Sequence, residues 1–281
     1  MGNTPYEEIR QRLQPKLPHS VYQLLPSKWE KIGTILILKL PQELNSYTTL
    51  IGHTYADILE CTSVLQDTGG VSGELRQPNT KLIYGDTHTE TIHIENAVKY
   101  QLDPQQVMFS SGNMDERIRM ATISNPKEVV IDLFAGIGYF TIPMAVYSQP
   151  KQIYACELNP VSYQFLENNC IINKVTSTVT PLQGDNRQTA PHSVADRVLM
   201  GYFENIQSYL PLALNCLKST GGIIHYHTVV SKETMNSIPQ QQIEQAAQEK
   251  HLTTAVVHTQ VVKSYAPHIN HVVIDAEVKP Q

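Results

Sequence analysis

The stretch "VVIDLFAGIGYFTIPMA", Val129 to Ala145, decides how the rest of the chain is read. Its first half is an apolar run of the length of a buried strand, with Asp132 at its end. Gly136 and Gly138 then fill the turn, beside Phe134, into a helical "GYFTIPMAVYS". Glycines in such a turn let the backbone approach a ligand closely at a helix N-terminus. A tight strand-to-helix turn needs no ligand, so this pattern alone is weak, but two downstream features strengthen it. Glu157 ends the next strand, 25 residues after Asp132, where an acid can accept both ribose hydroxyls of a nucleotide. "QGDNR", Gln183–Arg187, precedes the fourth strand and brings Asp185 and Asn186 to where an acid or amide can bind an adenine amine. No third glycine stands at the dinucleotide spacing, where Phe140 and Thr141 are found, which disfavours NAD.

Around this stretch the chain alternates strand and helix. "EVVIDLF", "QIYACEL", "ADRVLMG" and "GIIHYHT" read as strands, and "NPVSYQFLENNCIINK" and "NIQSYLPLALNCLK" as helices between them. Such alternation predicts an α/β unit with a parallel sheet covered on both faces. A helix over 240–251 and the strands "TAVVHTQVV" and "NHVVIDAEV", linked through Pro267, predict a closing antiparallel hairpin. Before residue 105 the rhythm differs. An amphipathic opening (Tyr6–Leu13), a strand (Thr34–Leu40), a helical pattern from Gln42 to about Glu60, the Gly-rich "DTGGVSGELRQPN", the strand "KLIYG" and the alternating "ETIHIENAVKYQL" make an α+β module. The expected division is therefore 1–104 and 105–281.

Bulk properties narrow the class. Of 281 residues, 41% are hydrophobic and 17% charged, as in ordinary folded proteins. No apolar run approaches the roughly 18 residues that span a bilayer, and "MGNTPYEEIR" has no charged-then-apolar signal pattern. The four cysteines are scattered without a C-x-x-C pair, which suits reduced thiols and disfavours a disulfide framework or a zinc site. A cytoplasmic location without membrane or metal is expected. Net charge is −5, with 11 Lys/Arg against 14 Asp/Glu in the first 120 residues and 10 against 12 thereafter. A nucleic-acid partner would therefore need a local cationic patch.

The combination of "FSSGNMDERIRMA" (109–121), the opening stretch, "YACELNP", "DRVLMGY" and "VKSYAPHINHVVIDAEV" resembles one group. It is similar to the archaeal and eukaryotic tRNA guanosine methyltransferases acting next to the anticodon and to their relatives, the tRNA wybutosine-synthesising protein 2 family. "GVSGELRQP" and "HIENAVKYQLD" resemble that group's middle domain. The resemblance implies the class I S-adenosylmethionine-dependent methyltransferase fold, which is Rossmann-like, with S-adenosylmethionine as cofactor and tRNA as partner. Its two branches differ in the carbon transferred. The wybutosine branch moves the 3-amino-3-carboxypropyl arm to a ring carbon of a modified guanine and leaves methylthioadenosine. "FSSGN" and the Gly-Tyr of "LMGYFE" resemble that branch, since the methyltransferases carry a proline and an arginine after the serine and an Asn-x-Pro type of loop. The resemblance implies cofactor contacts from Ser110, Arg117, Glu157, Asp185 and Asn186. Methyl transfer to tRNA, or transfer to a small molecule or a protein, are the alternatives.

Other residues carry plainer readings. Asn113 and Glu116 have the spacing of a helix cap with its box partner. Arg117 and Arg119, two apart on a helix, cannot both face one ligand, so one of them is expected at the surface. His225 and His227 share a strand face, and without a third ligand nearby they are expected as core or cleft-edge histidines. Tyr22 and Trp29 are expected to pack rather than to stack on a base. "SYAPH", Ser264–His268, reads as a loop that can cover the acceptor.

Overall fold

The structure, a computed structural model, describes residues 2–73 and 75–281. Glu74, within the expected "GVSGELRQP" motif, lies outside the described residues. The chain folds as two units, Met1–Ser111 and Gly112–Gln281. Residues 103–107 belong with the first of these. The buried Asp103 carboxylate accepts from the Thr89 hydroxyl at 2.6 Å and from Gln106 Nε2 at 2.7 Å, which ties the turn to the preceding hairpin.

The first unit opens with α1 (Pro5–Leu13), started by a capping box in which Glu7 N–H donates to Thr4 Oγ1 and Thr4 N–H to Glu7 Oε2. A short α2 (His19–Tyr22) follows, then β1 (Glu30–Ile32) and β2 (Ile35–Leu38). The helical pattern expected from Gln42 splits into a 3-10 turn, Gln42–Tyr47, and α3 (Thr48–Leu59). Helix α3 crosses from β2 to the parallel β3 (Ser63–Ser72), which pairs antiparallel with β4 (Gln77–Gly85). The Gly-rich stretch is thus the far end of a hairpin. The core joins Ile9, Leu13, Leu36, Leu38, Ile51 and Tyr55. Trp29 stands edge-on to Tyr55 at 6.0 Å and Tyr22 is buried, so both pack as expected. Strands β5 (Thr91–Glu95) and β6 (Val98–Leu102) form a separate hairpin, with Asn96 and Ala97 both at positive φ in its two-residue turn.

The second unit begins with α4 (Met114–Met120) and then alternates: β7 (Val129–Asp132), α5 (Thr141–Tyr147), β8 (Gln152–Glu157), α6 (Pro160–Ile172), β9 (Val179–Gln183), α7 (Asn186–Thr189), β10 (Arg197–Met200), α8 (Leu210–Cys216), β11 (Gly222–Ser231) and α9 (Ile238–Gln248). Two long strands, β12 (Leu252–Ala266) and β13 (Ile269–Pro280), close it. The seven strands run in the order β12-β13-β11-β10-β7-β8-β9. Strands β7 to β11 are parallel, and β13 enters antiparallel between β11 and β12, as the expected hairpin requires. Strand β9 was not among the expected segments. Its polar "VTPLQ" carries Pro181, which an edge strand tolerates because it need not donate on both sides. Apolar side chains of β7, β10, β11 and β13 (Ile131, Val198, Ile224, Ile274) pack with Leu214 and Ile243 of α8 and α9. Among the described residues no helix is long and apolar enough to cross a membrane.

Candidate active site

The strand order reverses between β7 and β10, and open α/β sheets bind ligands at the carboxyl ends of the strands at such a point. The loop leaving β7 sits across it. Leu133 N–H donates to Leu199 O of β10 and Ala135 N–H to Cys156 O of β8, each near 3 Å. Gly136 and Gly138 follow at φ +58° and +98°, which L side chains rarely adopt. A Cβ at Gly136 would come within 2.4 Å of the Tyr139 ring, and one at Gly138 within 2.4 Å of Ile142. The close turn therefore needs glycine at both positions.

Polar groups hold this loop in place. Asp132, buried at the end of β7, accepts from Thr141 Oγ1 at 2.8 Å and from Phe134 N–H at 3.2 Å. Burial pushes its carboxyl up to about 6 in spite of these bonds. Glu157 reaches across from β8, with Oε2 accepting from Gly136 N–H and Oε1 from Asn159 N–H, both at 2.7 Å. Burial pushes this carboxyl up to about 7, opposed by the two backbone donors and assisted by Asp132. Asn186 Nδ2 donates to Leu133 O at 2.8 Å, while its buried Oδ1 has no hydrogen-bond partner. Asp185 caps α7 and forms an ion pair with Arg187 at 2.7 Å, a hydrogen bond that lowers its pKa. Phe134 stacks on Tyr202 (5.1 Å, 12° between planes) and meets Tyr209 edge-on at 5.0 Å. The glycine loop, Phe134, Glu157, Asp185 and Asn186 thus converge on one end of the sheet, and the orphaned Asn186 Oδ1 beside the strand-end acids fits an adenosyl group.

Helix α4 departs from its expected reading. Asn113 makes no side-chain cap, and its Oδ1 is buried without a partner. Glu116 is fully buried and bonds Arg119 twice, at 2.7 and 2.9 Å, rather than closing a capping box. Neither arginine lies at the surface. Arg117 is 2% exposed, and Arg119 is drawn inward by Asp275 of β13 at 2.6 Å. The lever is the second carboxylate, which gives a buried guanidinium two partners. Ser110 is the last residue but one of the first unit, in the loop after β6.

His225 and His227 are both buried, as the core reading expects, but His225 belongs to a polar chain. Its Nδ1 meets Asp275 Oδ1 and its Nε2 meets Arg197 Nη1, each at 2.6 Å, and Arg197 continues to Glu128 at 2.9 Å. Burial lowers the His225 pKa, against the pull of Asp275. Burial alone would raise the Asp275 carboxyl, but His225 and the Arg119 guanidinium hold it well below the usual carboxylate range. Sequence reasoning singled out neither Arg197 nor Asp275. Among the described residues no cluster of three His, Cys, Asp or Glu could hold a metal ion.

Sheet order, glycine loop and strand-end acid together define a class I S-adenosylmethionine-dependent methyltransferase fold. Residues 91–256 match the TRM5/TYW2 methyltransferase domain and residues 9–89 the TYW2 N-terminal domain. The chain belongs to the TYW2 family. It is 39% identical over 270 residues to the tRNA(Phe) (4-demethylwyosine(37)-C(7)) aminocarboxypropyltransferase of Pyrococcus horikoshii, covering 96% of each chain. It superposes on the crystal structure of P. horikoshii TYW2 in complex with MeSAdo with a TM-score of 0.89, at 36% identity, over 99% of this chain and 100% of that one. The structure of Trm5b from Pyrococcus abyssi is also similar, with a TM-score of 0.82 and 31% identity over 94% of this chain and 78% of that one.

Proposed function

We propose that this protein transfers the 3-amino-3-carboxypropyl group of S-adenosylmethionine to a modified guanosine next to the tRNA anticodon, releasing methylthioadenosine. The observation that carries this reading is near full-length likeness, in sequence and in fold, to aminocarboxypropyltransferases rather than to the methyl-transferring branch alone. S-adenosylmethionine, when bound, supplies a sulfonium with three electrophilic carbons.

In this reading the residues of the chain select among those carbons by position. Glu157 accepts the ribose hydroxyls, having lone pairs left after Gly136 and Asn159 have donated to it. Asp185 and Asn186 receive the adenine edge. Phe134, Gly136 and Gly138 line the pocket. Ser110 offers a hydroxyl and Arg117 a guanidinium fork to the carboxylate of the arm. Anchoring the arm's far end would leave its γ-carbon facing the acceptor: as an electron-rich ring carbon bonds to it, the sulfur–γ-carbon bond would break, its electron pair would stay on sulfur in methylthioadenosine, and the ring carbon's proton would pass to solvent. Catalysis is then mostly positioning, with reacting atoms held about 3–3.5 Å apart.

Incubation with carboxyl-labelled S-adenosylmethionine and tRNA bearing the wybutosine precursor tests the assignment. Label should become acid-precipitable and nuclease-sensitive. Label that stays soluble, or that resists nuclease, would assign the transfer to a small molecule or a protein.

A further inference from the structure

Five rings run in contact from the glycine loop to the surface of the second unit. Phe140, which follows that loop, stacks on His227 with centroids 5.0 Å apart and 21° between planes. His227 Nδ1 lies 3.1 Å from His271 Nε2. His271 meets the Phe203 ring at 4.6 Å, and Phe203 meets Tyr265 at 5.8 Å, both edge-on. The inner rings are buried, Phe203 is half-buried, and Tyr265 is 49% exposed. Gly201, at the end of β10, leaves the backbone bare beside this row, since a Cβ there would meet the Phe140 ring at 3.1 Å.

Resting on the proposed function, we infer that Phe203 and Tyr265 form the seat on which the acceptor base stacks, with His271 at its inner edge. Three observations converge on it. First, Phe203 stands in the loop after β10, on the reversal of strand order where the fold places its ligands, and Tyr265 stands at the end of β12, which runs through Ser264–Ala266 and leaves only Pro267 and His268 of the expected "SYAPH" loop as the hairpin turn. Second, the row is polar where it should not be if it were only packing. His271 Nδ1 and His227 Nε2 are buried without a hydrogen-bond partner, and Glu116 Oε1 stands 3.6 Å from the latter, beyond hydrogen-bond reach. Third, the row is uncharged at neutral pH. Burial and the nearby Lys263 push His271 down to about 4, and burial, helped by His271, holds His227 well below the ordinary imidazole value. A neutral, flat, electron-rich heteroaromatic base suits such a surface, because stacking on aromatic side chains needs a π-face and no counter-charge.

The test separates the base seat from the cofactor pocket. Tyr265→Leu and Phe203→Leu should each lower kcat/KM for precursor tRNA about ten- to hundredfold, the range for losing one stacked base. Methylthioadenosine affinity by calorimetry should stay within about twofold, and Tyr265→Phe should restore turnover. Because Tyr265 is half-exposed, its variants fold whatever happens to Phe203. Full tRNA turnover in Tyr265→Leu would overturn the seat while leaving the proposed function standing. Wild-type turnover that needs no tRNA would overturn both.

Discussion

Glu157→Ala should weaken methylthioadenosine binding by about 1.5–3 kcal/mol, the range for hydrogen bonds to a charged group, which is roughly ten- to hundredfold in Kd. The carboxylate joins the glycine loop to β8 through Gly136 and Asn159, so its loss removes a ligand contact and a support of the loop together. The pH dependence sharpens the test. With its folded pKa raised from the ordinary 4.5 to about 7, Glu157 binds its proton more tightly in the folded chain than in the unfolded one. Its contribution to stability is therefore present below pH 4.5 and is lost as the pH rises through about 7. Ribose hydroxyls need the ionised form as acceptor, so affinity should rise over the range in which ligand-free stability falls. Glu157→Gln should flatten both trends. Calorimetry across pH 5–8 checks this, and unchanged affinity in the alanine variant would remove Glu157 from the pocket.

Asp275→Ala should cost about 3–5 kcal/mol of stability, because deleting one partner of a buried ion pair leaves the other charge uncompensated. Asp275 is the hinge of the chain Glu128–Arg197–His225–Asp275–Arg119–Glu116, which crosses from the start of β7 to α4. The Glu277–Lys279 pair on the same strand is exposed, so Glu277→Ala should cost no more than about 1 kcal/mol. Urea midpoints followed by circular dichroism compare the two. Equal midpoints would show that the buried chain contributes nothing that a surface pair does not. The depressed pKa adds a second signature. The stabilisation from Asp275 is present above the ordinary 3.8 and is lost as the pH falls below it, so the wild type should unfold in acid where Asp275→Ala gains little further sensitivity.

What could be read in the sequence follows the range of the forces involved. The β–α alternation from Val129, the glycine turn, Asn159 as the cap of α6 and the β5–β6 hairpin are written in neighbouring residues, and the structure has all of them. Strand β9 was hidden by its polar composition, since an edge strand buries little. The reading of α4 failed for a different reason. Locally, Asn113 and Glu116 look like a capping box, but Arg119 sits one turn on and Asp275 is 156 residues away. A buried pair of opposite charges outweighs a cap worth about 1 kcal/mol. The aromatic row from Phe140 to Tyr265 likewise joins five separate stretches of the chain and leaves no periodic trace in any of them. Of the candidate site, the glycine loop and strand-end acids announce themselves by spacing, whereas Ser110 and Arg117 came through family likeness.

Which sulfonium bond breaks is decided most directly by the identity of the spent cofactor. Chromatography of a completed reaction with precursor tRNA should show methylthioadenosine as the main product, in amounts matching the carboxyl label carried by the tRNA. Adenosylhomocysteine as the main product, with methyl label on the tRNA, would contradict transfer of the arm.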